Sequence, residues 1–388
     1  MIFINPFSEI FNFLTQFIVY MNQRSPTLLI LRVRAFKKDI ILPQRIDFVY
    51  PVLISSNVYN IKFFDIQPRR AFGYYLGYLI AFILSIPKLI FMDYDFVFIE
   101  NPYLSFFAPF ISIRRKKILV EFVDYYPSNL LRLYKEKHFR YTIAILISRT
   151  FHLFYTKIIT ESITTKKTLE SLGVPAEKLE IIPVAIDTEK FVYNLSSRKK
   201  IRMKYSLNEN YILGYLGKLV EYYNLSILPK IISKLNSDKE LNHIKFSLLI
   251  IGDGPFKKTL EEEVVDLRLY NVTFTGNIPY NQINEYYSSM DLFIFPLDSL
   301  AIKVGEVLSM GLPIVVPRGM PEDWIIDKNN GIIAKNQTVD AFVEAIKEYL
   351  NLDDTLKKEI ASNGRKFAKS NLERKKITFK YIKILNTL

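Results

Sequence analysis

The chain of 388 residues has no cysteine, three histidines, one tryptophan and only 13 glycines. The absence of cysteine excludes disulfide scaffolds, thiolate metal sites and cysteine nucleophiles. The histidines are far apart and none has the spacing of a zinc motif, so we expect no metal site. With few glycines but 30 phenylalanines and 25 tyrosines, the chain is not collagen-like, low in complexity or disordered. We therefore expect a globular protein, and the length suits two domains.

Basic residues outnumber acidic ones, and the excess lies mainly in the first half. The formal net charge is +13. Up to Ala185 there are 23 Lys and Arg against 14 Asp and Glu, whereas the remainder has 29 against 25. A basic, aromatic-rich surface attracts nucleic acid, an anionic membrane or a phosphorylated small molecule. No RNA- or DNA-binding motif is visible, so we expect no nucleic-acid partner.

One apolar run and the first residues bear on membrane targeting. Residues 71–86 carry no charge over 16 positions, a little short of the roughly 18–20 residues that span a bilayer. We expect a helix there that is buried or rests on a membrane, with a true span as the alternative. The start of the chain lacks a basic segment and a small-residue cleavage site, so we expect no secretory signal.

Short runs rich in Ile, Val and Phe alternate with longer segments of helical period. This alternation predicts an α/β fold with mostly parallel sheets covered on both faces, in two open domains. The predicted strands are 27–34, 61–64, 96–100, 117–122, 157–160, 212–216, 246–251, 272–275, 292–296 and 314–317. The predicted helices are 9–23, 70–92, 139–155, 164–172, 225–235, 371–388 and two that begin at 257 and 302. The basic stretch 194–204 is the predicted linker.

The richest candidate site lies in residues 295–317. In open α/β sheets, ligands bind beyond the carboxyl ends of strands, where helix N-termini favour phosphate. Asp298 lies on the loop after a predicted strand, and Lys303 and Glu306 share one face of the helix that follows. These groups and free N–H groups can together hold a sugar hydroxyl, a ribose diol and a diphosphate. The alternative is a helix-capping aspartate with an exposed Lys–Glu pair.

Three smaller motifs also follow predicted strands. Gly217 permits close backbone approach and Lys218 supplies a charge for phosphate, with a solvated surface lysine as the alternative. Residues 250–255, IIGDGP, favour an ordinary turn. In the first half, Asp124 stands beside two tyrosines. Its carboxylate can serve as a base, hold an acceptor hydroxyl or simply cap a helix or turn.

Two basic segments lie in the first half. Residues 114–117 are four consecutive basic side chains, and we expect a solvated loop there, with contact to an anion or membrane as the alternative. The helix predicted over 139–155 mixes basic and aromatic side chains. Such mixing suits an interfacial helix and a core-packing helix equally.

Taken in order, the segments resemble the family-4 retaining glycosyltransferases of GT-B fold, the glycosyl transferases group 1. The resemblance covers about 160–334 well and the first half only in pattern. Its most specific part is LFIFPLDSLAIKVGEVLSMGLPIVVP, which is similar to the family's two glutamates separated by seven residues, with Asp298 replacing the first and Glu306 as the second. Lys218 stands where an arginine is usual, and Val123 replaces the histidine that often precedes Asp124. The glycine-rich loop expected after the first strand is absent at 5–8.

The resemblance implies two Rossmann-like α/β/α domains facing across a cleft. The acceptor-binding domain would cover 1–190 and the nucleotide-sugar-binding domain 191–370, with the helix of 371–388 packing on the first domain. It also implies that a hexose-type sugar moves, with retention, from a UDP- or GDP-linked donor to an acceptor hydroxyl. No cofactor and no metal ion are expected.

The resemblance also assigns roles to the candidate residues. Glu306 would hold the ribose hydroxyls and Asp298 the donor sugar, while Asp124 inherits part of the catalytic role of the family's His-Asp pair. The group that faces the leaving diphosphate comprises Gly217, Lys218, Lys303 and the N–H groups of Leu300 and Ala301.

The basic first half indicates a lipid-linked or membrane-associated glycan acceptor. We therefore expect an anionic membrane surface as a partner, and a cytoplasmic protein peripherally associated with the inner face of the membrane. Two alternatives remain: a sugar-nucleotide 2-epimerase of similar shape, and a degenerate member that serves as a scaffold or binding protein.

Overall fold

The computed structural model describes residues 26–33, 60–66, 74–100, 102–122, 139–207, 210–297, 302–320 and 323–388. The chain divides into two compact units. One is Met1–Glu121 with Ile147–Ile158 and Leu388, and the other is Phe122–Leu146 with Ile159–Thr387. The helix predicted at 9–23 lies outside the described residues. The predicted domain boundaries, and the packing of helix 371–388 on the first domain, stay predictions.

The first sheet has six strands in the order β2-β1-β3-β4-β5-β6. Its strands are β1 (Thr27–Val33), β2 (Asn60–Ile66), β3 (Phe96–Ile99), β4 (Lys117–Phe122), β5 (Lys157–Thr160) and β6 (Leu179–Ile181). The helices between them are α1 (Tyr74–Phe91), α2 (Ala108–Ser112), α3 (Phe139–Thr150) and α4 (Ile163–Ser171). β1 pairs in parallel with β2 and β3, and β3 with β4. The predicted parallel α/β pattern is therefore confirmed here.

The second sheet has six strands in the order β12-β11-β10-β7-β8-β9, and its pairs are parallel. Its strands are β7 (Tyr211–Leu216), β8 (Phe246–Ile251), β9 (Val272–Phe274), β10 (Leu292–Ile294), β11 (Ile314–Pro317) and β12 (Ile332–Ala334). The helices of this half are α5 (Leu195–Lys204), α6 (Ile227–Ser237), α7 (Lys257–Asp266), α8 (Ile283–Ser289), α9 (Ile302–Met310), α10 (Val339–Leu350), α11 (Asp354–Phe367) and α12 (Arg374–Thr387).

The strand order places a topological switch point between β7 and β10. From β7 the chain builds outward through β8 and β9, and it then returns to build β10, β11 and β12 on the other side. Crossovers on either side of such a point diverge, which leaves a crevice outside the carboxyl ends of the two central strands. From the strand order we therefore expect a ligand to bind at the carboxyl ends of β7 and β10.

Alternate residues of β8 enter two separate hydrophobic cores. Leu249 and Ile251 belong to the core that also contains residues of α9, whereas Leu248 and Ile250 belong to the core beneath α6 and α10. All six residues of this strand are buried. Side chains alternate across a strand, so a strand covered on both faces is apolar throughout. This explains why β8 was predictable to the residue.

The linker predicted at 194–204 is wrong, because these residues form α5. The Asn194 side chain caps the helix by accepting a hydrogen bond from the Ser197 backbone N–H at 2.8 Å. Arg198 and Arg202 both pair with Asp291, which lies about ninety positions later in the chain. A run of basic residues is predicted to be solvated when no acidic partner lies near it in the sequence. Here the tertiary structure supplies that counter-ion.

The apolar run at 71–86 contributes most of α1. The Phe82 ring packs on Phe107 with ring centroids 4.3 Å apart, while Ile83 and Leu84 remain exposed. None of the helices in the described part of the chain has the length and apolar character that a membrane crossing requires.

Candidate functional site

Glu306 lies on α9, the helix that follows β10, and its side chain is buried. The residue is only 2% exposed. The Tyr280 hydroxyl donates to Oε1 at 3.0 Å, and the Tyr287 hydroxyl donates to Oε2 at 2.9 Å. A carboxylate oxygen can accept two hydrogen bonds, so one acceptor position on each oxygen is left for a ligand hydroxyl. The two tyrosines hold the carboxylate in one orientation.

The electrostatics of this carboxylate are set by burial and by Lys303 one turn earlier on α9. Burial raises the pKa of Glu306, and the Lys303 charge and the two tyrosine hydrogen bonds oppose that rise. Burial lowers the pKa of Lys303, and the Glu306 charge opposes that fall. The alternative of an exposed Lys–Glu pair is wrong for Glu306, which is buried, while Lys303 is half-buried.

Lys190 joins the site from a distant segment. Its ammonium lies 3.7 Å from the centroid of the Tyr280 ring and donates to the Tyr280 carbonyl oxygen at 3.1 Å. Nearby, Arg374 pairs with Asp187 at 3.0 Å. These contacts fix the ring whose hydroxyl bonds Glu306. Sequence reasoning missed Lys190, Tyr280 and Tyr287, because no local spacing connects them to α9.

Gly217 and Lys218 follow β7, beside the end of β10. The Gly217 N–H donates to the Ile251 carbonyl at 2.9 Å, and the Leu219 N–H donates to the Asp253 carbonyl at 3.0 Å. Lys218 itself is exposed. The loop after β7 is thus fastened to the loop after β8, and the lysine side chain faces solvent at the switch point.

The motif IIGDGP is more than an ordinary turn. A Cβ at Gly252 would lie 1.9 Å from the Gly217 carbonyl oxygen, and one at Gly254 would lie 2.1 Å from the Leu219 carbonyl oxygen. Both glycines have positive φ angles, 132° and 159°. They let two backbone segments touch directly. The turn therefore supports the loop that carries Lys218.

Gly252→Ala is expected to destabilise the protein by about 2 kcal/mol or more, because a Cβ adds both a backbone clash and strain at positive φ. Urea unfolding measures this change. Gly276→Ala is the matched control: Gly276 has φ 71°, and a Cβ there would meet nothing within 4 Å. Equal losses for the two variants would contradict a role for the contact with Gly217.

The structure brings some of the predicted residues together and does not describe the others. The half-buried Lys303 and the buried Glu306 lie on one face of α9, while Gly217 and Lys218 lie on the neighbouring strand end at the same edge of the sheet. Asp124, Asp298, Leu300 and Ala301 lie outside the described residues. Within the described ranges, no group of three or more His, Asp or Glu side chains could hold a metal ion.

A parallel sheet with a lysine-bearing glycine loop and a buried carboxylate beside its switch point is an open α/β domain with a ligand crevice at the carboxyl ends of its central strands. Family models match both halves of the chain. The model of the glycosyl transferases group 1 matches residues 197–367, and that of Glycosyltransferase Family 4 matches 39–190. The chain belongs to the family-4 glycosyltransferases of GT-B fold.

Solved structures agree on the fold. Anabaena Alr3699/HepE in complex with UDP and glucose matches with a TM-score of 0.73 and 17% identity, over 94% of this chain and 100% of that one. Sucrose-phosphate synthase from Thermosynechococcus elongatus matches with a TM-score of 0.72 and 14% identity, over 93% and 98% of the two chains. At such identities the likeness concerns the fold alone.

Curated relatives match parts of the chain. The GDP-mannose-dependent alpha-(1-6)-phosphatidylinositol monomannoside mannosyltransferase of Mycolicibacterium smegmatis is 26% identical over 198 residues, which is 48% of this chain and 50% of that protein. The capsular polysaccharide biosynthesis glycosyltransferase CapM of Staphylococcus aureus is 24% identical over 61% of this chain and 63% of its own length. The chain thus spans about half to two thirds of these two relatives.

Proposed function

We propose that the protein is a retaining glycosyltransferase that moves a hexose-type sugar from a nucleotide-sugar to a hydroxyl of a lipid-linked or membrane-associated glycan. The observation that carries this proposal is the buried Glu306 carboxylate, held by two tyrosine hydroxyls beside the switch point. Such a carboxylate, with one acceptor position left on each oxygen, suits the two adjacent hydroxyls of a ribose.

The diphosphate of the donor would lie between two lysines at the ends of β7 and β10. Lys218 is exposed on its glycine loop, and Lys303 lies in the first turn of α9. Positive charge placed where a leaving diphosphate develops its charge lowers the barrier for breaking the glycosidic bond. Two lysines and the N–H groups of Leu300 and Ala301 would do this without a metal ion or cofactor.

The remaining assignments rest on the family resemblance. Asp298 would bind hydroxyls of the donor sugar, and Asp124 would hold or deprotonate the acceptor hydroxyl. For the nucleotide, the name of the mycobacterial relative contains GDP-mannose, and the Anabaena structure contains UDP. A GDP- or UDP-linked hexose is therefore the proposed donor.

The acceptor side is proposed from charge and from the names of relatives. Most of the positive excess lies before residue 186, and basic residues near an anionic surface contribute about 1 kcal/mol each to membrane binding. One relative is named for a phosphatidylinositol mannoside and another for a capsular polysaccharide. We therefore place the protein at the cytoplasmic face of a membrane, bound peripherally.

Lys218→Ala tests the donor assignment. With GDP- and UDP-sugars screened first by thermal shift, the variant is expected to lower kcat for release of the nucleotide diphosphate about 10²-fold, because the leaving group loses a fixed charge. Lys245→Ala is the matched control, since Lys245 is exposed at the opposite end of the same sheet, just before β8. A Lys218→Ala rate within about threefold of the parent would contradict the assignment.

Two further readouts separate the alternatives. A transferase releases the nucleotide diphosphate only when an acceptor is added, whereas a 2-epimerase converts the nucleotide-sugar into its C2 epimer without an acceptor and without net release of the nucleotide. A degenerate scaffold would show no thermal shift with any nucleotide-sugar, because only ligands that bind the folded state raise the melting temperature.

A further inference from the structure

Three segments meet at the amino-terminal edge of the first sheet. β3 begins at Phe96, β4 at Lys117 and β5 at Lys157, and these three strands are neighbours. The segments that lead into them are 88–95, 113–116 and 149–156. We call the surface formed by 88–95, 113–117 and 149–157 the amino-edge surface. It lies at the end of the sheet opposite the carboxyl ends, where ligands of such sheets bind.

Contacts join the first two segments of this surface. The Arg114 guanidinium donates to the Met92 carbonyl and lies 5.2 Å from the centroid of the Tyr94 ring. The Lys116 ammonium lies 3.9 Å from an Asp95 carboxylate oxygen. The loop before β4 is therefore fastened to the loop before β3.

The third segment is joined to the same surface. The Thr156 N–H donates to the Ile118 carbonyl at 2.8 Å, and the Thr156 hydroxyl oxygen accepts from the Ile118 N–H at 3.1 Å. The Phe151 ring packs edge-on against Phe106, which leads into α2, with centroids 5.3 Å apart. Contacts thus join each of the three segments to its neighbour within one compact unit.

Each segment presents a large apolar side chain to solvent. Phe91 is 85% exposed, Ile113 is 73% exposed and Leu153 is 71% exposed. They protrude although the same unit buries other large apolar side chains, such as Phe98 and Phe107, almost completely. Exposed apolar residues that cluster mark an interaction surface, whereas scattered ones need no explanation.

The charge of the surface is strongly one-sided. Its residues include seven Lys and Arg but only two acidic residues, Asp93 and Asp95. Apolar tips on separate segments, interleaved with long basic side chains, do not form a groove for a peptide. They suit the surface of an anionic lipid bilayer. Basic side chains can pair with the headgroup phosphates, while the apolar side chains enter the boundary of the acyl chains.

We propose that the amino-edge surface docks the protein on an anionic lipid bilayer. Phe91, Ile113 and Leu153 enter the interface, and the basic side chains around them contact lipid phosphates. Docking by this edge leaves the carboxyl edge of the sheet uncovered by lipid. This inference rests on the proposed function, in which the acceptor is membrane-associated. It names the surface through which the protein binds that membrane.

The absence of cysteine allows a direct test on the full chain. Ile113→Cys and Val265→Cys are each labelled with an environment-sensitive fluorophore; both parent side chains are 73% exposed, and Val265 lies in the other unit. With vesicles of equal parts phosphatidylglycerol and phosphatidylcholine, only the label at Ile113 is expected to shift to the blue. With pure phosphatidylcholine the shift is expected to be much weaker.

Charge variants separate specific docking from general attraction. Lys117→Glu is expected to weaken partitioning to the anionic vesicles at least about tenfold. Lys245→Glu, just before β8 in the other sheet, is expected to change this partitioning less than about twofold. Both lysines are exposed, so circular dichroism is expected to be unchanged.

Three outcomes would overturn the inference: binding without a shift at Ile113, equal effects of the two lysine variants, or an equal shift at Ile113 with an RNA duplex in place of vesicles. Nucleotide-sugar turnover, measured in the same samples with a soluble acceptor, is a separate readout. Turnover without vesicle binding would contradict the proposed docking surface but would support the proposed transferase activity. Docking as expected with no turnover supports the docking surface and counts against the transferase.

Discussion

Glu306→Ala is expected to lower kcat/KM for the nucleotide-sugar by at least about 10²-fold. In the proposed ribose assignment, the substitution would remove two hydrogen bonds from ribose hydroxyls to a charged acceptor, at roughly 1.5–3 kcal/mol each. The substitution also leaves the hydroxyls of Tyr280 and Tyr287 without their acceptor and the partly buried Lys303 without its counter-ion. Release of the nucleotide diphosphate at several donor concentrations measures the change.

The controls for Glu306 address folding and specificity. Glu344→Ala removes a carboxylate that pairs with Lys335 at the surface, and it is expected to leave turnover unchanged. Tyr287→Phe keeps the ring in place but removes one of the two hydroxyls that orient Glu306, so KM for the donor is expected to rise more than kcat falls. A well-folded Glu306→Ala with kcat/KM within about threefold of the parent would contradict the site.

The raised pKa of Glu306 predicts how the affinity for the donor changes with pH. Burial raises this pKa in the folded protein, and the ionised carboxylate is the better acceptor for ribose hydroxyls. Donor affinity is therefore expected to fall as the pH decreases through the raised pKa. Glu306→Gln cannot titrate, so its weaker binding is expected to lack this dependence.

Asp291→Ala is expected to lower the free energy of unfolding by about 3–5 kcal/mol, because it removes the carboxylate counter-ion of the buried Arg202. The Asp291 carboxylate accepts from Arg198, from Arg202 and from the Ile212 backbone N–H at 2.7 Å. Arg202 is buried, and burial lowers its pKa. Urea unfolding followed by circular dichroism measures the loss.

A surface pair provides the comparison for Asp291. Lys234 pairs with Asp340, whose side chain is 76% exposed. Asp340→Ala is expected to cost less than about 1 kcal/mol, because solvent screens exposed pairs. If Asp291→Ala cost no more than Asp340→Ala, the three-residue cluster would not stabilise the fold as we describe.

Strands buried on both faces were the most predictable elements. β4, β5, β8 and β11 coincide with the predicted ranges, because a covered parallel strand is a continuous apolar run bounded by polar residues. Helix ends were less well placed, as at α3, which ends at Thr150 rather than at 155. Stretches rich in charge misled the prediction, as at α5, because polarity says nothing about a counter-ion elsewhere in the chain.

In the candidate site, too, the local arrangement of residues was predictable from the sequence, whereas their burial was not. That Lys303 and Glu306 share a face follows from the helical period alone. Their enclosure does not follow from it, because Tyr280, Tyr287 and Lys190 come from other segments of the chain. The glycines of IIGDGP could be recognised as a turn, but the close approach of Gly252 to Gly217 became visible only in the folded chain.

The sequence by itself determined the α/β class, the family, most strand positions and the local arrangement of Lys303 and Glu306, because these depend on periodicity and on short motifs. The tertiary structure decided which groups meet. It paired the arginines of α5 with Asp291, enclosed Glu306 between two tyrosines, and gathered three apolar tips at one edge of the first sheet. Contacts of this kind join residues tens of positions apart, and their energies depend on burial and distance, which no local pattern encodes.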